Sequence, residues 1–397
     1  MRFAQKYVDS AASIVQQYDG GIPFSAWLKQ FFAADKKYGS RDRKIISHLC
    51  YCHYRLGNAL TGIPVTEKIL IALFLCSTVH DAILEALRPD WAGSIAQPVE
   101  EKISILNLPP EAPTAIFSWK DSLSEGIDAK QFILSHLIQP DLFLRIRPGK
   151  EAMVLRQLQD NQVVFRQVSG TCLALPNASK IDTIVHTDKD VIIQDYSSQR
   201  IAEFLQLVKE ALPVASGSIK VWDCCAASGG KSILAWDVLQ RIQLTVSDVR
   251  SSILHNLKER FVRAGIKDYH SFVADVSNQQ PATGNRQFDL IICDAPCSGS
   301  GTWGRTPEQL LFFTTPKISQ YAALQKSIVK NTIHHLAPGG YFLYITCSVF
   351  RQENEEVVAF IQEQFPALQL IQQRLLTGYD QKADSMFAAL WKAPGHR

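Results

Sequence analysis

With 397 residues, the chain is long enough for two or three domains with their own cores, and 46% apolar with 20% charged residues excludes a fibrous or disordered chain. A net charge of +3 is too small to argue for a nucleic-acid partner from total charge, so local basic clusters must carry any such argument. The N-terminus has no apolar leader core, no window holds eighteen uninterrupted apolar residues, and none of the nine cysteines sits in a CxxC pair. The expectation is a cytoplasmic protein in a reducing setting, a monomer with no membrane span and no metal.

In chain order, AASIVQQY (11–18), FSAWLKQFFAADKKY (24–38), RKIISHLCYCHYRLGNAL (43–60) and EKILIALFLCSTVHDAILEAL (67–87) space their apolar residues by three and four, which predicts helices. Cys50 and Cys52 fall within them as small packing residues. The proline-bearing stretch 88–113 reads as a connector, and WKDSLSEGIDAKQFILSHL (119–137) as further helix. Short strand-like runs (DLFLRIRPGK, VVFRQV, TCLALP) then surround a helical KEAMVLRQLQD. From about 218, strand and helix alternate: IKVWDCC, KSILAWDVLQRI, LTVSDV, ILHNLKERFVRAG, HSFVADV, FDLIICDAP, SQYAALQKSIVKNTIHHL, YFLYITCS and NEEVVAFIQEQF. Such alternation predicts a doubly wound, mostly parallel α/β sheet. The expected domains are a helical one over 1–137, a small α+β piece over 138–215 and a Rossmann-like core over 216–397.

Ligands of such sheets bind outside the carboxyl ends of the strands, where VWDCCAASGGKS (221–232) turns from the first core strand into a helix. A phosphate loop needs glycine five residues before Gly230, and Cys225 is there; GxGxxG is also absent. The second strand ends in Asp248, suited to the two ribose hydroxyls of an adenosine, the third in Asp275, suited to its amino group, and the fourth in Asp294. Each acid taken alone reads equally as a helix N-cap. Four successive strand ends with an acid or a glycine turn point to a cationic nucleoside, S-adenosylmethionine. The residues expected around it are Cys225, Ala226, Ala227, Ser228, Gly229, Gly230, Lys231, Asp248, Arg250, Asp275 and Asp294.

Cys293 reads as strand packing, whereas Cys297 and Cys347 lie just past strands on the ligand face, where a thiol can be activated. DCCAASGGKS, DAPCSGSG and TCSVFRQENEE together resemble the Nol/Nop/Sun family of RNA 5-methylcytosine methyltransferases, and within it the bacterial ribosomal branch called RsmB. The resemblance covers roughly residues 140–390; LFLRIRPGK and IIQDYSSQ belong to it, and the N-terminal helices are similar in texture to a NusB-like RNA-binding domain. Two departures are Ser228, where proline is usual, and Glu308, where aspartate is common.

The resemblance implies an S-adenosylmethionine-dependent methyltransferase acting on cytosine carbon 5 of 16S rRNA. In it Cys347 adds to carbon 6, Cys297 assists product release, and Lys231 orients Asp294 or the base. A thiolate at carbon 6 is needed because carbon 5 of an aromatic, electron-poor ring is a weak nucleophile, and Asp294 fits the acid near ring nitrogen 3. Pro296-Cys297 also resembles the attacking dipeptide of DNA cytosine-5 enzymes, but Ser298 follows it where glutamine is usual. The alternatives are a tRNA substrate and a non-catalytic ribosome-assembly factor that binds RNA.

Carbon 6 is hidden in a stacked helix, so the target base must be flipped or unpaired. Candidate phosphate contacts are Lys36, Lys37, Arg41, Arg43 and Lys44, then Arg145, Arg147 and Lys150, then Arg250, Arg305 and Arg351 near the pocket. KKYGSRDRK reads equally as a solvated helix face, and Trp303 either stacks on the base or packs its loop.

Overall fold

A computed structural model describes residues 3–35, 37–109, 111–212, 217–278 and 286–395. They form two compact units: Met1–Asp121 with Ile127–Gln139 and Thr302–Thr314, and Ser122–Gly126 with Pro140–Gly301 and Thr315–Arg397. Residues 140–212 thus cluster with the core that follows them.

The first unit is helical. Helices Ala4–Gln17, Phe24–Ala34, Ser40–Arg55 and Val65–Cys76 bury one face each, except that Val65–Cys76 is buried from Lys68 through Leu75. Cys50 and Cys52 are buried packing residues. Where continuous helix was expected over 119–137 there are a 3-10 turn, Lys120–Ser122, and a helix, Ala129–Ser135. The chain breaks at Gly126 (φ +83°), and the Asp128 carboxylate caps the later helix by accepting from Gln131 N. The connector 88–113 also holds short helices, Pro89–Ala92 and Val99–Ile105, each entered through a proline. Trp303 is buried against Phe117, Trp119 and Phe313, so it packs this unit and offers no face to a base.

The second unit holds two sheets. In the smaller, β1 (Leu142–Ile146), β2 (Arg166–Gln167), β3 (Cys172–Leu175) and β4 (Val191–Ile193) run antiparallel in the order β2-β3-β1-β4. The larger contains β5 (Ile219–Asp223), β6 (Ile242–Asp248), β7 (Tyr269–Val273), β8 (Phe288–Asp294), β9 (Leu336–Thr346), β10 (Gln369–Leu376) and β11 (Met386–Lys392). Their order is β10-β11-β9-β8-β5-β6-β7, parallel from β7 to β9 and antiparallel at β11 and β10. The last two strands were not anticipated from the sequence.

Both faces of the larger sheet are covered. Val221, Ile292 and Leu343 enter one apolar core while their neighbours Trp222, Ile291 and Phe342 enter the other, the period-two alternation of strands. The order reverses between β5 and β8, which leaves a crevice at their carboxyl ends.

Arg145 and Arg147 are not phosphate contacts. Arg145 is buried and pairs with Asp237 at 2.6 Å, and Arg147 pairs with the same carboxylate at 2.7 Å while donating to Ala264 O. A buried guanidinium is tolerated only when paired in this way, so both arginines tie the smaller sheet to helix Gly230–Leu239.

Candidate active site

The loop after β5 is shaped by its backbone. Cys224 N donates to Ile292 O on β8, Ala226 N to Ser247 O on β6, and Ala227 N to the Asp248 carboxylate at 3.0 Å. Ala227 (φ +45°) and Gly229 (φ +84°) are both left-handed. A Cβ on Gly229 would lie 2.7 Å from the Phe261 ring, so glycine is required there for space as well as angle. Ser228, where the resemblance implies proline, is held instead by Arg260, whose Nη1 donates to its carbonyl and hydroxyl.

Beside this loop lies a cavity of about 550 Å³. Of the expected cofactor residues, Cys225, Ala227, Asp248, Arg250, Asp275 and Asp294 line it. Ala226 packs into the core, Ser228 and Gly229 shape the turn, and Gly230 and Lys231 open the helix Gly230–Leu239. The Asp248 oxygens accept from Ala227 N and from Arg250 N and Nε. Asp275 accepts from Ser277 N, Ser277 Oγ and Asn278 Nδ2; the Ser277 hydroxyl first of all holds its carboxyl below the ordinary value. Asp223 is fully buried and accepts from Ser232 Oγ at 2.6 Å; burial pushes its carboxyl up to about 7.

Cys297, after β8, and Cys347, after β9, also line the cavity, and their sulfurs are 3.2 Å apart. That contact and burial push the Cys297 thiol well above its ordinary value. Asp294 is 3.2 Å from Lys231 Nζ, which also donates to Ser198 Oγ at 2.9 Å. Of the four residues expected to be catalytic, Asp294, Cys297 and Cys347 line the cavity, and Lys231 is joined to it by its ion pair with Asp294.

Sequence reasoning gave no role to Glu353, Ser198 or the helix Pro316–Thr332. Glu353 is fully buried and ties the two cysteine loops together: it accepts from Ser298 N at 2.9 Å, Ser348 Oγ at 2.6 Å, Gln325 Nε2 at 2.9 Å and the Ser298 hydroxyl. Burial raises its carboxyl above the usual range. Glu353 was visible as the first Glu of the quoted TCSVFRQENEE, and Ser198 within IIQDYSSQ. Tyr321, Leu324 and Ile328, spaced three and four apart on the helix Pro316–Thr332, form the far wall of the cavity.

Of the expected phosphate contacts, Arg41 and Lys44 are exposed, Lys37 is paired with Asp35, and Arg43 donates to Tyr38 O. Lys150 is 3.9 Å from Asp190, Arg351 is exposed 3.9 Å from Glu356, and Arg305 is half-buried in the helical unit. Lys36 lies outside the described residues. Among the described residues no helix is long and apolar enough to cross a membrane.

Residues 209–393 match the family model of the 16S rRNA methyltransferases RsmB/F. Ribosomal RNA small subunit methyltransferase B of Xanthomonas campestris pv. campestris is 32% identical over 47% of this chain and 43% of its own. The probable ribosomal RNA small subunit methyltransferase B of Bacillus subtilis is 31% identical over 62% of this chain and 54% of its own. The chain thus matches about half the length of these curated relatives. The crystal structure of PH0851 superposes with a TM-score of 0.70 at 18% identity, covering 97% of this chain and 98% of that one, which establishes a shared fold. Motifs and sequence matches agree that residues 209–393 are similar to the 16S rRNA methyltransferases RsmB/F.

Proposed function

We propose that the chain transfers a methyl group from S-adenosylmethionine to carbon 5 of a cytosine in small-subunit ribosomal RNA, through a covalent adduct of Cys347. The observation that carries this reading is the 3.2 Å approach of the Cys297 and Cys347 sulfurs on the wall of a cavity that also holds Asp294. The cavity volume, about 550 Å³, lies within the range of roughly 300–1,000 Å³ common to cofactor sites. The loop at Cys225 and Ala227, with Asp248, Asp275 and Asp294, would hold the donor; carboxylates suit its two positive charges. Bound there, it supplies a methyl carbon on a sulfonium.

Cys347 Sγ forms a bond to carbon 6 of the flipped base, which moves an electron pair onto carbon 5. Asp294, kept in place by Lys231, holds a proton at ring nitrogen 3 and stabilises the adduct. Carbon 5 would then take up the methyl carbon as its bond to the sulfonium sulfur breaks, the electron pair staying on that sulfur as a neutral thioether. Loss of the carbon-5 proton restores the double bond and expels the Cys347 sulfur, so the reaction replaces one C–H bond with C–CH3 and releases one proton. Cys297, whose thiol is held protonated beside Cys347, assists that departure by hydrogen bonding to the leaving sulfur. The exposed Arg41 and Lys44, with Arg250 at the cavity, contact RNA phosphates.

The relatives' ribosomal substrate favours rRNA over tRNA, and the intact constellation of two thiols, a carboxylate and an ammonium favours an enzyme over an assembly factor. Methyl incorporation into small-subunit rRNA from a strain lacking this gene, mapped by bisulfite sequencing, tests the reading. One new 5-methylcytosine is expected; no incorporation into naked RNA or ribosomal particles would overturn it.

A further inference from the structure

The strand register creates a second sulfur cluster. Cys224 and Cys225 follow β5, Cys293 lies in β8, and the parallel pairing of Asp223 with Ile292 sets them side by side. The Cys224 N–H donates to Ile292 O at 3.0 Å, which fixes that alignment in the backbone. All three sulfurs lie within 4.8 Å of one another. The methyl-transfer steps place no chemistry on these three sulfurs, although the loop at Cys225 would hold the donor. Three apolar packing residues would serve the core equally well, since Cys224 and Cys293 are fully buried.

We propose that Cys224, Cys225 and Cys293 form a three-sulfur site for a soft, thiophilic metal ion. A metal–sulfur bond of about 2.3 Å in a flat trigonal site places the sulfurs about 4.0 Å apart, inside the spread found here. The ligand set decides the class of ion, because three thiolates with no imidazole select soft ions over magnesium or calcium. Entry is open, since Cys224 and Cys225 line the cavity and Cys225 is half-buried. Binding is read out separately from methyl transfer, so this inference does not depend on the reaction above.

Cadmium is the probe, with sulfur-to-cadmium charge-transfer absorbance as the signal. The Cys297–Cys347 pair would also capture it, so the titration starts from the Cys297→Ala/Cys347→Ala chain. One cadmium per chain is expected, with three sulfurs counted by X-ray absorption. Adding Cys293→Ala, or separately Cys225→Ala at the half-buried position, should weaken binding at least about 100-fold. Circular dichroism checks that each variant folds; if Cys293→Ala does not, Cys225→Ala decides. A titration unchanged by these substitutions overturns the proposal and places the ion elsewhere, for instance at Cys52 and Cys76, whose thiols hydrogen-bond to each other. Fewer than three sulfurs in the parent chain also overturns it.

Discussion

Glu353 is the strongest structural handle on the sulfur geometry, although it does not line the cavity. One of its oxygens, Oε2, accepts from Ser298 N and Gln325 Nε2, both at 2.9 Å, and these donors cannot reverse. The other, Oε1, accepts from the Ser298 and Ser348 hydroxyls, which can rotate. Glu353→Gln can therefore put its carbonyl at the first position and its amide NH2 at the second, with the hydroxyls turned to accept. It loses charge assistance alone, about 1–2 kcal/mol. Glu353→Ala leaves Ser298 N buried without an acceptor and opens a gap between the two loops, at a cost of about 3–5 kcal/mol. A loop shift of about 1 Å in a reacting group lowers rate roughly 100-fold. Urea unfolding and single-turnover methyl transfer should show kcat down about 100-fold in Glu353→Ala with the donor KM nearly unchanged, and down less than about 10-fold in Glu353→Gln. Wild-type kcat in Glu353→Ala, or equal damage from both substitutions, refutes the argument.

The remaining predictions follow from buried charge and tight packing. Burial raises Asp223 from 3.8 to about 7, so its protonated form contributes stability that is complete below pH 3.8 and lost as pH rises through about 7. At about 1.4 kcal/mol per pH unit the ceiling is about 4 kcal/mol, so Asp223→Asn should flatten that loss in urea titrations from pH 4 to 8; parallel curves for the two proteins would contradict it. Gly229→Ala, forced into a left-handed angle against Phe261, should lose about 1–3 kcal/mol of stability and weaken donor binding in calorimetry. Arg145→Ala, leaving Asp237 with one partner, should cost about 3–5 kcal/mol in urea unfolding while the salt dependence of RNA binding is unchanged.

Local pattern carried much of this architecture. The alternation from IKVWDCC to YFLYITCS is read correctly because each strand ends in a polar or glycine-bearing turn, and those ends are where Asp248, Asp294, Cys297 and Cys347 meet. The hairpin of β10 and β11 was missed: QLIQQRLL carries only loosely spaced apolar residues, and MFAALWK is one buried run without alternation. Helix was overextended through residue 126, where a left-handed glycine outweighs the surrounding spacing. Arg145 and Arg147 were read as phosphate contacts because their partner, Asp237, is some ninety residues away and only tertiary packing reveals it. The same long-range blindness hid the role of Glu353, whose partners come from three segments, and the meeting of Cys224 and Cys225 with Cys293.

The central claim is that the sulfur of Cys347 bonds to the base while that of Cys297 helps it leave. Incubating wild-type, Cys347→Ala and Cys297→Ala chains with donor and an RNA carrying 5-fluorocytosine at the target, then separating protein on denaturing gels, tests it directly. A band retaining RNA is expected for wild type and Cys297→Ala and should be absent for Cys347→Ala. The band persisting in Cys347→Ala and vanishing in Cys297→Ala would contradict the assignment.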